Sequence, residues 1–360
     1  MSGDMEDSVA WEDVEVILGN ANKRFSGVTS TMLQVALVQQ QRIGLVVLGR
    51  HHLPEGIPAV GFLELASKGR QGPAKGGYRV FHARRNMEMI QALVLKHLFR
   101  ARIRIVFTST AQRKKTWLTR FLMSAMDGLL STCTAAAAYM PTPPERIIPH
   151  GIDTRQYQPA INKDALRAEL SLPTRESIGI FGRVRPQKGV DLLVEAALDL
   201  LPRFPEFSVV VVGEITADQR DFVRNLKAKI ADHGLDKRIV FTGELPFEQV
   251  PAYFKAMSIV TALSRNEGFG LTVLEAMSCA VPVVATRAGA WPDIIEPGLD
   301  GQLIEVGDKA ALVEKLSALM SDSALRKRMG DAGREKVEHG YRVEHEAEAL
   351  IDCYQRLARR

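Results

Sequence analysis

The chain has 360 residues, 46% hydrophobic and 25% charged, which suits two domains of common size and excludes a disordered or fibrous chain. Its cysteines, Cys133, Cys279 and Cys353, are odd in number and far apart, which argues against a disulfide framework or a zinc site and fits a reducing cytoplasm. The net charge of +5 is uneven: residues 1–150 hold 19 Lys and Arg against 11 Asp and Glu, the remainder 28 against 31.

In chain order, the start MSGDMEDSVAWEDVEV is acidic and lacks the basic, apolar opening of a secretory signal. No run reaches the roughly 18–20 apolar residues of a membrane span. The apolar runs at 14–18, 43–49, 78–83, 103–109 and 128–132 predict buried strands, as do those at 177–182, 207–213, 238–243, 258–263 and 282–286. Between them the pattern predicts helices at 28–41, 86–98, 189–200, 217–233, 248–256 and 272–279, then at 309–320, 323–338 and 343–358. Strands that alternate with helices and are apolar almost throughout imply parallel sheets covered on both faces. Pro141, Pro143, Pro144, Pro149 and Pro159 precede a polar stretch, so the inter-domain linker is expected near 150–172. In open α/β sheets ligands sit beyond the carboxyl ends of the strands, so two facing sheets would make a deep cleft.

Four strand-to-helix turns carry the chemistry. Glu267-Gly268-Phe269-Gly270-Leu271-Thr272-Val273-Leu274-Glu275 follows the strand at 258–263. Its glycines let a ligand approach, the helix it opens offers free amides to phosphate, and Glu275 can accept both hydroxyls of a ribose. Phe181-Gly182-Arg183-Val184-Arg185-Pro186-Gln187-Lys188-Gly189 presents Arg183 and Lys188, which could both reach one diphosphate. The segment 20–30, with Ser26 and Gly27 after the first strand, is a third ligand-facing turn, but it is neither GxGxxG nor a P-loop. At the end of the strand at 78–83, His82 is expected to face the cleft and handle a sugar hydroxyl or a proton, flanked by Arg84 and Arg85. His150 reads as structural or hinge-related. No Asp-x-Asp triplet occurs, so neutralising a diphosphate would fall to Arg183, Lys188 and backbone amides.

From 96 to 120 eight Lys and Arg meet no acidic residue. Such a face suggests nucleic acid, a phosphorylated glycan or an anionic membrane as partner. Arg113, Lys114, Lys115, Trp117, Leu118, Arg120, Phe121 and Leu122 at its end could lay cations among headgroups and put Trp117, Phe121 and Leu122 into the interface. Nothing resembles a nucleic-acid-binding motif.

Over about 175–305 the chain resembles the family-4 retaining glycosyltransferases of the GT-B fold. The resemblance rests on FGRVRPQKG, VVVVGE, the run from IVFTGELPF to PVVAT with its Glu-x7-Glu pair, AGAWPDII and DGQLIEVGD. It implies that Glu275 holds the nucleotide ribose and that Glu267 with the amides of Phe269, Gly270 and Leu271 holds the donor sugar and phosphate. It further implies that Arg183 and Lys188 grip the diphosphate, without metal or other cofactor. Where such proteins carry paired glycines in the first loop, Ser26-Gly27 stands here. NANKRFSGVTST followed by FHARRN looks like the lipopolysaccharide core mannosyltransferases of some Gram-negative bacteria, which implies a GDP-mannose donor and an inner-core lipid acceptor.

The expected organisation is an acceptor-binding Rossmann-like domain at 1–155, a nucleotide-sugar-binding one at 156–342, and a helix at 343–360 crossing back to the first. The expected function is a metal-independent retaining hexosyltransferase. Arg84 and Arg85 would bind an anionic glycolipid acceptor, and the enzyme would be peripheral at the inner face of the cytoplasmic membrane. The rivals are a sugar-nucleotide epimerase of the same fold and a non-catalytic nucleotide-sugar-binding protein. A nicotinamide oxidoreductase lacks its GxGxxG.

Overall fold

The computed structural model describes residues 9–23 and 27–360. The chain divides into two compact units, Met1–Gly151 with Val343–Arg360, and Ile152–Arg342.

Among its described residues the first unit holds seven parallel strands: β1 (Val16–Gly19), β2 (Leu45–Leu48), β3 (Ala59–Val60), β4 (Arg79–Ala83), β5 (Ile103–Ser109), β6 (Gly128–Ser131) and β7 (Arg146–Ile147). Their order across the sheet is β3-β2-β1-β4-β5-β6-β7, so the winding reverses between β1 and β4, where Leu18 lies level with His82. Successive side chains on a strand point to opposite faces. Val16, Leu18, Val80 and Val106 therefore pack under the helices Gly27–Gln39 and Val343–Arg359, while Ile17, Phe81 and Ile105 pack under Phe62–Lys68 and Asn86–His97. The final helix buries Val343, Ala347, Leu350, Ile351, Tyr354 and Leu357, one stripe at helical spacing. Glu344 and Glu346 in its first turn and Arg356 and Arg359 in its last complement the helix dipole.

The second unit holds six parallel strands: β8 (Glu176–Phe181), β9 (Phe207–Val212), β10 (Ile239–Gly243), β11 (Ile259–Ala262), β12 (Val283–Thr286) and β13 (Gln302–Ile304). Their order is β10-β9-β8-β11-β12-β13, and the reversal falls between β8 and β11. β9 is buried along its whole length, as its mostly apolar sequence requires of a strand covered on both faces, and its one polar residue, Ser208, pairs with Ser177 Oγ.

The segment expected to be a linker is part of this second fold. Tyr157 is buried, and the helix Lys163–Glu169 sinks Arg167 against Ala256 O, Ser258 Oγ and Glu176. The units part at Gly151 and Ile152, earlier than the polar stretch suggests, because those polar groups find partners inside the second unit. The final helix belongs to the first unit.

Candidate active site

Between β8 and β11 the second sheet reverses its winding, and the two turns that leave these strands lie side by side. Lys188, in the turn after β8, places Nζ 2.5 Å from Glu267 Oε2 in the turn after β11. Ser264 Oγ donates to the same oxygen at 3.1 Å, and the Gly268 amide donates to Oε1 at 3.1 Å. Glu267 is thus fixed by three donors at a strand end. Gly270 closes this turn with φ of 82°, and a Cβ there would stand 2.5 Å from Trp291 Nε1, so any other residue is both strained and blocked. Trp291 Nε1 in turn donates to Gly270 O at 2.9 Å. The amides of Gly270 and Leu271 donate to no acceptor among the described residues. The Phe269 side chain is core.

Glu275 stands in the first turn of the helix Thr272–Ser278. Burial pushes its carboxyl up to about 7; a hydrogen bond from the Tyr157 hydroxyl and the charge of Lys188 act the other way. Burial raises the Tyr157 phenol in turn. Arg183 pairs through Nε with Glu214 Oε2 at 3.2 Å, both side chains well exposed. An exposed pair of this kind is worth about 0–1 kcal/mol, so Arg183 can exchange Glu214 for a better anion at little cost.

In the first unit His82 does not face outward. It is 1% exposed, with Nδ1 2.6 Å from Tyr354 Oη and Nε2 2.7 Å from Thr108 Oγ1. Burial, then the charges of Arg84 and His150, hold its imidazole well below the usual value and keep it neutral. It shares with Val80 the face that the final helix covers, so its side chain is enclosed in the core and does not take the cleft-facing direction expected of it. Arg85 is likewise engaged inside the domain: Nη1 meets Glu88 Oε1 at 2.9 Å and Nη2 donates to Thr29 Oγ1 at 2.9 Å. Glu88, fully buried, also accepts the amides of Arg84 and Arg85 at 2.7 and 3.1 Å. Arg84 keeps a buried Nη1 without a partner. Gly27 is exposed, with open space where a Cβ would be; Arg24, Phe25 and Ser26 lie outside the described residues. His150 Nδ1 meets Glu346 Oε1 at 2.8 Å, and the Gly151 amide donates to Oε2 at 2.8 Å, where the first unit ends.

The basic run is partly compensated in space: Lys96 and Arg104 both pair with Asp127, at 2.7 and 3.1 Å. Arg113, Lys114 and Arg120 are exposed, as are Trp117 at 73% and Phe121 at 63% on the helix Trp117–Ser124, whereas Leu122 is buried. Lys115 Nζ donates to Ala111 O at 2.7 Å. No helix is long and apolar enough to cross a membrane among the described residues.

Sequence reasoning missed Tyr157, Trp291 and Glu88. The first two meet their partners only through the fold. Glu88 had a signal, an acid three residues after the Arg85 cap at the head of the helix Asn86–His97.

Residues 162–336 match the family model described as glycosyl transferases group 1. The chain is 39% identical over 353 residues to the lipopolysaccharide core biosynthesis mannosyltransferase LpsB of Rhizobium meliloti (strain 1021), covering 96% of this chain and 99% of that protein. A solved C-terminal domain of a glycosyl transferase group 1 family protein, LpcC of Francisella tularensis, is 39% identical over 53% of this chain and 99% of its own, with a TM-score of 0.52. Anabaena HepE in complex with UDP shares the fold at a TM-score of 0.81 and 16% identity, over 95% of this chain and all of its own. The two parallel α/β units are those of the GT-B fold. This chain belongs to the group 1 glycosyltransferases.

Proposed function

We propose that this enzyme transfers mannose from GDP-mannose, with retention of the anomeric configuration, to an anionic glycolipid of the lipopolysaccharide core. The observation that carries the transfer reading is the cluster at the β8–β11 reversal: two carboxylates, Glu267 and Glu275, and the cation Lys188 beside Glu267. The relatives' names favour mannose and the lipopolysaccharide core.

In this reading the ribose hydroxyls donate to Glu275. The diphosphate lies against Arg183, Lys188 and the unsatisfied amides of Gly270 and Leu271. Glu267 orients the donor sugar while holding Lys188 in place. As the sugar–phosphate bond breaks, negative charge grows on the leaving diphosphate, and fixed cations favour that state over the ground state. The departing phosphate oxygen takes the acceptor's proton on the same face, so no protein carboxylate need attack. The reaction needs no metal. With His82 enclosed, acceptor orientation falls to other groups, Arg84 foremost. The enzyme works peripherally at the inner face of the cytoplasmic membrane, through Arg113, Lys114, Lys115, Trp117, Arg120 and Phe121.

A screen with radiolabelled GDP-mannose, UDP-glucose, UDP-galactose and UDP-N-acetylglucosamine tests the donor; transfer from a UDP-sugar alone overturns the choice. Arg183→Ala should lower kcat by about 10²–10³, as loss of an oxyanion donor does, with a smaller rise in KM. Turnover should survive EDTA; its loss, with rescue by magnesium, overturns the metal-free mechanism.

A further inference from the structure

Arg84 and Arg85 are neighbours at the end of β4, and the fold treats them differently. Arg85 is satisfied by Glu88 and Thr29. Glu88 is taken up by the Arg85 guanidinium and by the amides of Ala21, Arg84 and Arg85, and does not bond the Arg84 guanidinium. The Arg84 side chain makes no hydrogen bond or ion pair with a described residue, and its Nη1 is shut off from solvent. Two polar neighbours among the described residues are already engaged. Both nitrogens of His82 are taken, by Tyr354 and Thr108. Glu346, which like Arg84 acts on Tyr354, is held by His150 and the Gly151 amide. β1, which pairs with β4 as far as Leu18 beside His82, runs on past its end to Asn20, and Asn20, itself fully buried, keeps an Oδ1 with no donor. These two orphans, one cation and one acceptor, stand at the reversal of the first sheet, the place where open α/β sheets bind ligands. A buried guanidinium nitrogen without an acceptor is costly, and a fold keeps one where a ligand completes it.

We propose that Arg84 is the counter-cation for an oxyanion, a carboxylate or a phosphate, carried by the sugar acceptor, and that it makes the enzyme select acidic acceptors. The assignment rests on the transfer reading above. A guanidinium offers two parallel N–H bonds that fit either acid, and the Asn20 Oδ1 suits a hydroxyl of the same sugar. The donor's diphosphate is the other source of such an oxyanion; in the transfer reading Arg183 and Lys188 of the second unit already take it.

The test uses the full chain with GDP bound and three probes: octyl glucuronide, octyl glucoside 6-phosphate and neutral octyl glucoside. Titration calorimetry should find the acidic probes bound about tenfold more tightly than the neutral one, the scale of one charge-assisted hydrogen bond. Arg84→Gln should erase that preference, Arg84→Lys should keep part of it, and GDP affinity should be unchanged in both. Because the Arg84 side chain has no partner among the described residues, the Tm of ligand-free Arg84→Gln should equal or exceed that of the native chain. A preference that survives Arg84→Gln overturns the proposal. So does a Tm several degrees lower that Arg84→Lys restores, which marks a structural residue. Weakened GDP binding with the acid preference intact assigns the cation to the donor and also overturns it. A native chain that binds neither GDP nor UDP removes the transfer reading itself, whereas bound GDP with no acid preference removes the Arg84 assignment alone.

Discussion

Burial holds the Glu275 carboxyl up at about 7 while Tyr157 and Lys188 pull it down. The unfolded chain gives up this proton near 4.5 and the folded chain near 7, so folding stability falls as pH rises between them. The full deficit, at most about 3 kcal/mol, is present above 7. Glu275→Gln removes the charge and keeps an oxygen for the Tyr157 hydroxyl. In ligand-free calorimetric scans its stability advantage over the native chain should therefore grow from pH 4.5 to pH 7 and then level; a gap indifferent to pH refutes the burial argument. If ribose hydroxyls donate to the ionised carboxylate, native nucleotide affinity should rise about tenfold from pH 6 to pH 8, a dependence that Glu275→Gln lacks. Glu267, Glu275, Arg183 and Lys188 could be read from the sequence as candidates because each lies within one strand–turn–helix passage. Tyr157 was not, since only the fold brings it to Glu275. The position of His82 at a strand end was legible too. Its direction was not: in a strand apolar on both faces no alternation tells which side a residue takes.

Elements show the same division. β8, β9 and β11 announce themselves as mainly apolar runs, whereas β3 and β7, two residues each at the two edges of their sheet, leave no pattern to detect. The helix Trp117–Ser124 was expected to bury Leu122 in a membrane interface; Leu122 belongs to the core, and Trp117, Leu118 and Phe121 form the exposed apolar group. Lys115, tied to Ala111 O and half-withdrawn from solvent, contributes less than its neighbours. Three exposed cations, Arg113, Lys114 and Arg120, at about 1 kcal/mol each supply roughly 3 kcal/mol toward an anionic surface before screening. Vesicle co-sedimentation should therefore show preference for anionic over neutral vesicles, lost in high salt and in an Arg113→Ser, Lys114→Ser, Arg120→Ser variant. Trp117→Ser with Phe121→Ser should weaken binding to anionic vesicles while leaving its salt dependence. Equal sedimentation with both vesicle types, or with neither, leaves the helix as ordinary solvated surface.

At the scale of the whole molecule, the chain enters the second unit at Ile152 and leaves it at Arg342, and these two residues form a parallel bridge, with the Ile152 amide donating to Tyr341 O at 2.8 Å. A unit whose ends adjoin, and whose core from Ile178 to Met329 is its own, meets the conditions for folding alone. The side chains assigned to the donor in that unit, Arg183, Lys188, Glu267 and Glu275, and the turn at Gly270 are supported by partners that also lie within it: Glu214, Ser264, Tyr157 and Trp291. The fragment 152–342 should therefore unfold cooperatively in urea and bind GDP within a few-fold of the affinity of the full chain. At 100 times its dissociation constant GDP should stabilise either protein by about 2.7 kcal/mol. Acid-bearing acceptor probes, which depend on Arg84, should gain nothing from the fragment. A fragment that folds yet leaves GDP unbound would mean that residues outside 152–342 supply most of the nucleotide contacts, and would move the weight of donor recognition to the first unit.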